Sequence, residues 1–251
     1  VAYLLQAGQR ATRLAATEEA LRLLTHGLTL LKQLAKSPAR DQQEVALHLA
    51  LGNALLVQGW DTDERAQASA RAYALGQRVG DLSQVARSLV MMADTPLGRG
   101  QLSQLTAIGE QLQALAQHPL VVASAPLTAQ LTLYVDYVWG SLYYARGDLL
   151  AAREHLTRVA GTRAVPSDTL VETHLRVISQ VWLIYTLWLV GYPDQALAFS
   201  QRTLATTRGM DYALPLHFAL IIGEVGVRHL RGEPHAMQTA LAQLTALDAD
   251  A

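Results

Sequence analysis

Apolar residues recur at three- and four-residue spacing along almost the whole chain. Leu21, Leu24, Leu28, Leu31 and Leu34 make one such stripe, and Leu47, Leu51, Leu55 and Val57 are part of another. That spacing gathers side chains on one face of an α-helix. Alternating apolar–polar runs, which build half-buried strands, are nearly absent. Ala, Leu, Gln, Glu and Arg dominate, and all are good helix formers. The pattern predicts an all-α chain.

The helix breakers predict how it is divided. Gly59, Gly100, Gly147, Gly191 and Gly232 each follow an apolar stretch and precede a short polar link, at intervals of 41, 47, 44 and 41 residues. A near-regular period in this range predicts about six stacked helical hairpins rather than one globule. Asp148, Pro193-Asp194 and Pro234 are expected to start the following helices, by N-capping or as a first-turn proline. The most complete copy runs Asp136-x-x-Trp139-Gly140-x-x-Tyr143, then Gly147, then Ala152-x-x-x-Leu156-x-x-Val159. Small residues at 140 and 152 let two helix backbones approach, and the large ones fill the surrounding space. Gly140 is therefore expected to face Ala152.

This copy resembles the tetratricopeptide (TPR) pattern of large–Gly–x–x–Tyr on one helix and Ala–x–x–x–large on the next. Gly8 with Ala20-x-x-x-Leu24 and Gly27, Leu51-Gly52-x-x-Leu55 with Ala68-x-x-x-Ala72, and Gly191-Tyr192-Pro193-Asp194-Gln195-Ala196-Leu197 follow it in part. In the third and sixth copies Ala93, Val225, Leu105 and Met237 replace the small residues. The resemblance implies a right-handed α-solenoid of TPR-like hairpins over residues 1–251.

Three strings narrow it further: Tyr3-Leu4-Leu5-Gln6-Ala7-Gly8-Gln9-Arg10-Ala11, Gln42-Gln43-Glu44-Val45-Ala46-Leu47-His48-Leu49-Ala50-Leu51-Gly52, and Gly191 to Ala196. They resemble the TPR region of large bacterial signalling proteins that also carry a class III adenylate/guanylate cyclase domain and an AAA-type ATPase. The resemblance implies a sensory or interaction arm that acts on an upstream ATPase or cyclase domain. Similar arms occur in helical-repeat transcriptional activators. No cyclase or ATPase residue is carried by this segment.

Composition removes several classes of function. The formal charge of −1 gives no electrostatic reason to expect nucleic acid or an anionic membrane as partner. Without cysteine there can be no disulfide framework and no thiolate chemistry, which fits a cytoplasmic protein. The longest apolar stretch, Val177 to Val190, is interrupted by Ser179, Gln180 and Thr186. It falls short of the roughly 20 residues that span a bilayer and is expected to be a buried helix. Val1 opens directly into a helical pattern, with no signal-peptide architecture. We expect a piece of a longer chain, with Val1, Leu4 and Leu5 continuing a surface that docks an upstream domain.

No catalytic constellation emerges, so no enzyme activity, cofactor or metal is expected of the segment. Gly98-Arg99-Gly100 lacks the lysine of a phosphate-binding loop and follows no strand. The eight histidines show no zinc-helix spacing, and His217, Glu224 and His229 are the nearest approach to a metal set. Arg65, Arg71 and Arg78, with Asp61 and Glu64, read as a solvated helix face.

The aromatic residues suggest a binding groove. Tyr134, Tyr137, Ser141 and Tyr144 share one helical face, and Tyr185 and Trp188 occupy the corresponding face of the next copy. Asn53, Arg87, Asp94 and His229 would extend it. Such a groove suits a protein or peptide segment, or a small amphipathic ligand. It predicts these rings partly exposed, with Trp139 and Tyr143 buried toward the partner helix. Burial of the whole aromatic set in the core is the alternative. Two other functional readings stay open: an α-solenoid enzyme with a pocket of histidines and carboxylates, and a spacer or oligomerisation arm.

Overall fold

The computed structural model describes residues 1–162, 169–210 and 213–249. Among them there is no strand, and helix dominates. Contacts divide the chain into two compact units, Val1–Val138 and Trp139–Ala251.

The first unit contains α1 (Ala2–Arg13), α2 (Thr17–Lys32), α3 (Pro38–Leu55), α4 (Asp63–Val79), α5 (Leu82–Gly98), α6 (Leu102–Ala116) and the short α7 (Pro119–Val122). Each of α1 to α6 packs on its neighbours in sequence, and α3 also touches α1 and α5. The helix starts follow local chemistry. Ser37, Thr62 and Asp81 sit at N-caps, where their side-chain oxygens accept from the backbone N–H of Arg40, Arg65 and Gln84. Ala20, Leu24, Leu31 and Leu47 form a core between α1, α2 and α3. Each such leucine contributes about 1.5–3 kcal/mol over an exposed one.

Helix α8 (Ala125–Arg146) begins in the first unit and ends in the second. The second continues with α9 (Leu149–Gly161), α10 (Leu170–Leu189), α11 (Pro193–Thr207), α12 (Ala213–Phe218), a π-helical segment (Ala219–Val225), α13 (Gly226–Leu230) and α14 (Pro234–Ala249). Asp148 caps α9, and Thr169 and Glu172 form a reciprocal capping box at α10. Ala152, Leu156 and Leu183 form one core cluster, and Ile184, Ala196 and Val227 another. Most of Val177–Val190 lies inside α10, buried at intervals as far as Thr186 and exposed at Leu189, and no described helix is long and apolar enough to cross a membrane.

The expected turns are where the sequence puts them. Gly59, Gly100, Gly147, Gly191 and Gly232 all have positive φ between the two helices of a pair. The link between α1 and α2 does the same with Ala15, the one non-glycine residue at positive φ among those described.

Two expectations are corrected. Gly140 does lie at a close helix contact, but a Cβ there would sit 2.9 Å from Leu156 Cδ2 and 3.2 Å from His155 Cβ, so it faces Leu156 rather than Ala152. Gly8 meets Leu24 in the same register, with a Cβ 2.6 Å from Leu24 Cγ. The leucine one turn beyond the small alanine fills the glycine's notch, because helical side chains lean toward the N-terminus of their own helix. Likewise Val1, Leu4 and Leu5 are half-buried, and Val1 and Leu5 pack onto the core of α1 to α3. They serve this core rather than presenting a bare apolar surface, whereas Tyr3 beside them is exposed.

Candidate functional site

The aromatic groove does not form as expected in the first unit. Tyr134 and Tyr137 are 0% and 1% exposed. The Tyr134 hydroxyl accepts from Gln130 Nε2 at 2.9 Å, and the Tyr137 hydroxyl donates to Asp94 Oδ1 at 2.9 Å. Asp94 is itself buried, and Asn53 and Arg87 are half-buried. Helical spacing correctly grouped residues on one face of α8. It could not say that this face is covered, because α8 is apolar on more than one side.

In the second unit Ser141 is buried, while Tyr144, Tyr185 and Trp188 are half-buried and His229 is exposed. The Tyr144 ring packs 5.0 Å from Trp182, and Trp188 lies against the Ile184–Ala196–Val227 cluster. The Tyr185 hydroxyl donates to the Ile222 carbonyl at 2.7 Å, inside the π-helical segment. Burial raises the pKa of both Tyr144 and Tyr185, with Tyr144 adding to the shift on Tyr185, so Tyr185 remains a donor at neutral pH. Gly226 leaves room for that hydroxyl, since a Cβ there would overlap it. Trp139 and Tyr143, expected to be buried, are half-buried, with ring centroids 5.7 Å apart. The predicted contrast between exposed groove rings and buried seam rings is therefore reversed for Tyr134 and Tyr137.

The arginine face also needs correction. Arg71 and Arg78 do reach solvent, where they pair with Glu44 and Asp41 of α3 at 2.6 and 2.7 Å. Arg65 does not: it is 2% exposed. Its Nη2 stands 2.7 Å from Asp94 Oδ2, its Nε donates to the Gly52 carbonyl at 3.1 Å, and its Nη1 donates to the Trp60 carbonyl at 3.1 Å. With Tyr137 on the other oxygen of Asp94, the group ties α3, α4, α5, α8 and the α3–α4 link together. The sequence held a usable signal. Arg65 heads the buried stripe Ala68, Ser69, Ala72, Leu75 and Gly76, whereas Arg71 and Arg78 share a different face.

A cavity of about 530 Å³ opens between α2, α3 and α4. Leu21, Leu51, Leu55 and Ala68 give it an apolar floor, and Thr25, His48 and Gln67 add polar edges. Its lining comes from α3 and from α2 and α4, the second helices of their pairs, and includes none of the residues the aromatic pattern selected. Glu64 and Arg71 line it from the same helix. Glu64 is exposed and has no ion pair among the described residues. Arg71 donates both Nε, at 2.9 Å, and Nη2, at 2.6 Å, to Glu44 Oε1, which leaves Nη1 without a partner among the described residues. Burial lowers the pKa of His48, against the opposing pull of Glu44 and with help from Arg71 and Lys32, so the ring is neutral at pH 7.

Among the described residues, no three His, Cys, Asp or Glu side chains stand close enough to hold a metal ion. Glu224, for instance, accepts from Ser200 at 2.7 Å and pairs with Arg228 at 2.9 Å, while His229 is exposed. No family model matches the chain, and no curated protein matches it.

Proposed function

We propose that this chain is a non-catalytic, TPR-like interaction or sensory module of a cytoplasmic bacterial signalling protein. Its role is to bind a peptide or small amphipathic ligand and to pass the bound state to an upstream ATPase or cyclase domain. The α2–α3–α4 cavity carries this reading: it combines an apolar floor with a few polar and charged groups at its edges, as small-ligand sites do. The sequence-adjacent helix packing is compatible with a solenoid of TPR-like repeats, and the strings that resemble cyclase-associated TPR regions motivate the choice of parent.

The test is made in the full-length protein. Ala68→Phe fills the cavity floor from α4. Nucleotide hydrolysis and cyclisation are measured in cells and in purified protein, with circular dichroism as the control for folding. The expected result is retained basal turnover with loss of its modulation between growth conditions. Modulation unchanged by the filled cavity would overturn the site, and absence of any nucleotide turnover in the parent would overturn the signalling role.

A further inference from the structure

The link between α6 and α8 carries a helical turn of its own, α7. Residues 111–135, from the end of α6 through α7 into α8, contain no Asp, Glu, Lys or Arg, the longest such stretch in the sequence. Its titratable side chains are His118 and the buried Tyr134. Val121 is fully buried, while Leu120 and Val122 on either side of it are each 65% exposed. Pro119, Ala123 and Pro126 are exposed beside them. The turn is fixed in place: the Thr128 hydroxyl donates to the Val121 carbonyl at 2.8 Å, and the Leu120 N–H donates to His118 Nδ1 at 3.3 Å. Other exposed leucines have charge close by in the chain. Leu14 follows Arg13, Leu34 lies between Lys32 and Lys36, and Leu150 lies between Asp148 and Arg153.

We propose that the α7 corner is a self-association surface, where two copies of the chain meet across a two-fold axis. In such a contact a residue near the axis faces its own counterpart, so a charge there meets its like. A long uncharged stretch avoids that repulsion, and a preordered turn has little freedom left to lose on contact. A membrane surface is a poorer match. The stretch has no Lys or Arg to meet anionic headgroups, and one helical turn offers little apolar face to insert. The exposed apolar area is on the order of a few hundred Å², against about 800 Å² per partner in a stable dimer. The association is therefore weak, reversible and driven by concentration. It is independent of the cavity.

The test is sedimentation velocity on the intact chain, from low micromolar to near-millimolar concentration. The expected result is a shift from monomer to dimer that added salt does not weaken, since no ion pair is involved. Leu120→Glu and Leu120→Lys should each weaken dimerisation about tenfold or more. An equimolar mixture of the two should dimerise again, because Glu then faces Lys. Leu120 is mostly exposed, so both variants should fold, with circular dichroism as the control. Val122→Glu and Val122→Lys repeat the design if they do not. A chain that stays monomeric at the highest concentration overturns the proposal, as does association that survives both charged variants or a mixture that fails to recover. A monomer that floats with phosphatidylcholine vesicles would assign the corner to lipid and overturn it equally.

Discussion

Arg65 and Asp94 in the first unit, and Tyr144, Trp182 and Tyr185 in the second, do comparable work with opposite chemistry. Both groups join helices distant in sequence. The first does so with a buried ion pair. The second does so with ring contacts and one hydroxyl–carbonyl bond; its pair to a buried carboxylate, Arg228 with Glu224, is local, four residues apart, and the pairs of Arg228 and Arg231 with Glu233 and Asp194 lie nearer solvent, Asp194 being 91% exposed. Withdrawing two charges from water costs several kcal/mol each, and apolar residues of similar volume often hold a fold as well. What the ion pair supplies is direction. A planar guanidinium with five donors specifies where its acceptors lie. Here two of them are carbonyls, at Gly52 in the last turn of α3 and at Trp60 in the α3–α4 link.

The largest effect should follow from breaking that pair on one side. Asp94→Ala leaves Arg65 charged and buried, and should cost about 3–5 kcal/mol in urea denaturation. Arg65→Met with Asp94→Leu should recover much of the loss. If instead the double variant is as unstable as the single one, the carbonyl contacts of Arg65 matter more than its charge partner.

The matching perturbation in the second unit is Gly226→Ala. It drives a methyl group into the Tyr185 hydroxyl and should cost about 1–3 kcal/mol. Tyr185→Phe removes the obstructing oxygen together with its bond to Ile222, and alone should cost about 1 kcal/mol. The two changes combined should cost less than their sum. Strict additivity in a thermal melt would show that the two residues do not compete for space.

These two regions also show what was legible. The turn glycines were, because a left-handed helix end leaves a residue-type signature at Gly100, Gly147, Gly191 and Gly232. Ala15 takes the same conformation and leaves none. The helices were legible from their stripes, and so was the shared face of Tyr134 and Tyr137. Their burial was not, since periodicity ranks faces of one helix and is silent on what covers them. Asp94 as the partner of Arg65 depends on the packing of α4 on α5, which no local pattern encodes. The π-helical turn at Ala219–Val225 interrupts a run that reads as ordinary helix. The cavity combines α2, α3 and α4, and its residues are unremarkable one at a time.

A gentler difference separates the units in acid. Burial holds the His48 pKa below its ordinary value of 6.5. As pH falls through that value the unfolded chain takes up a proton that the folded one refuses. Stability that is full above pH 6.5 should therefore decline below it until the folded ring also titrates. His48→Gln should flatten this part of the urea-midpoint profile in the first unit and leave the second unchanged. An unaltered slope would place the acid sensitivity elsewhere.

The smallest change should be a gain. Every described turn within a helix pair of the second unit has glycine at positive φ, whereas the first turn of the first unit has Ala15 at φ 59°. Ala15→Gly should stabilise the protein by about 0.5–1 kcal/mol by relieving the Cβ clash, net of the added freedom of the unfolded chain. A lowered melting temperature would mean that the methyl group makes a contact worth more than the strain.

The Arg65 cluster has a kinetic consequence. In stacked helix pairs each pair leans only on the next, and such arrays can fray from an end with little penalty. Asp94 and Tyr137 sit on α5 and α8, far along the chain from Gly52 on α3; Arg65 joins Gly52 to Asp94, and Asp94 in turn accepts from Tyr137. Opening any of these helices exposes the same guanidinium. Amide protons of α3, α4 and α5 should therefore exchange with solvent as one cooperative block, slowly and with a common free energy, while α1 and α2 exchange by separate, cheaper openings.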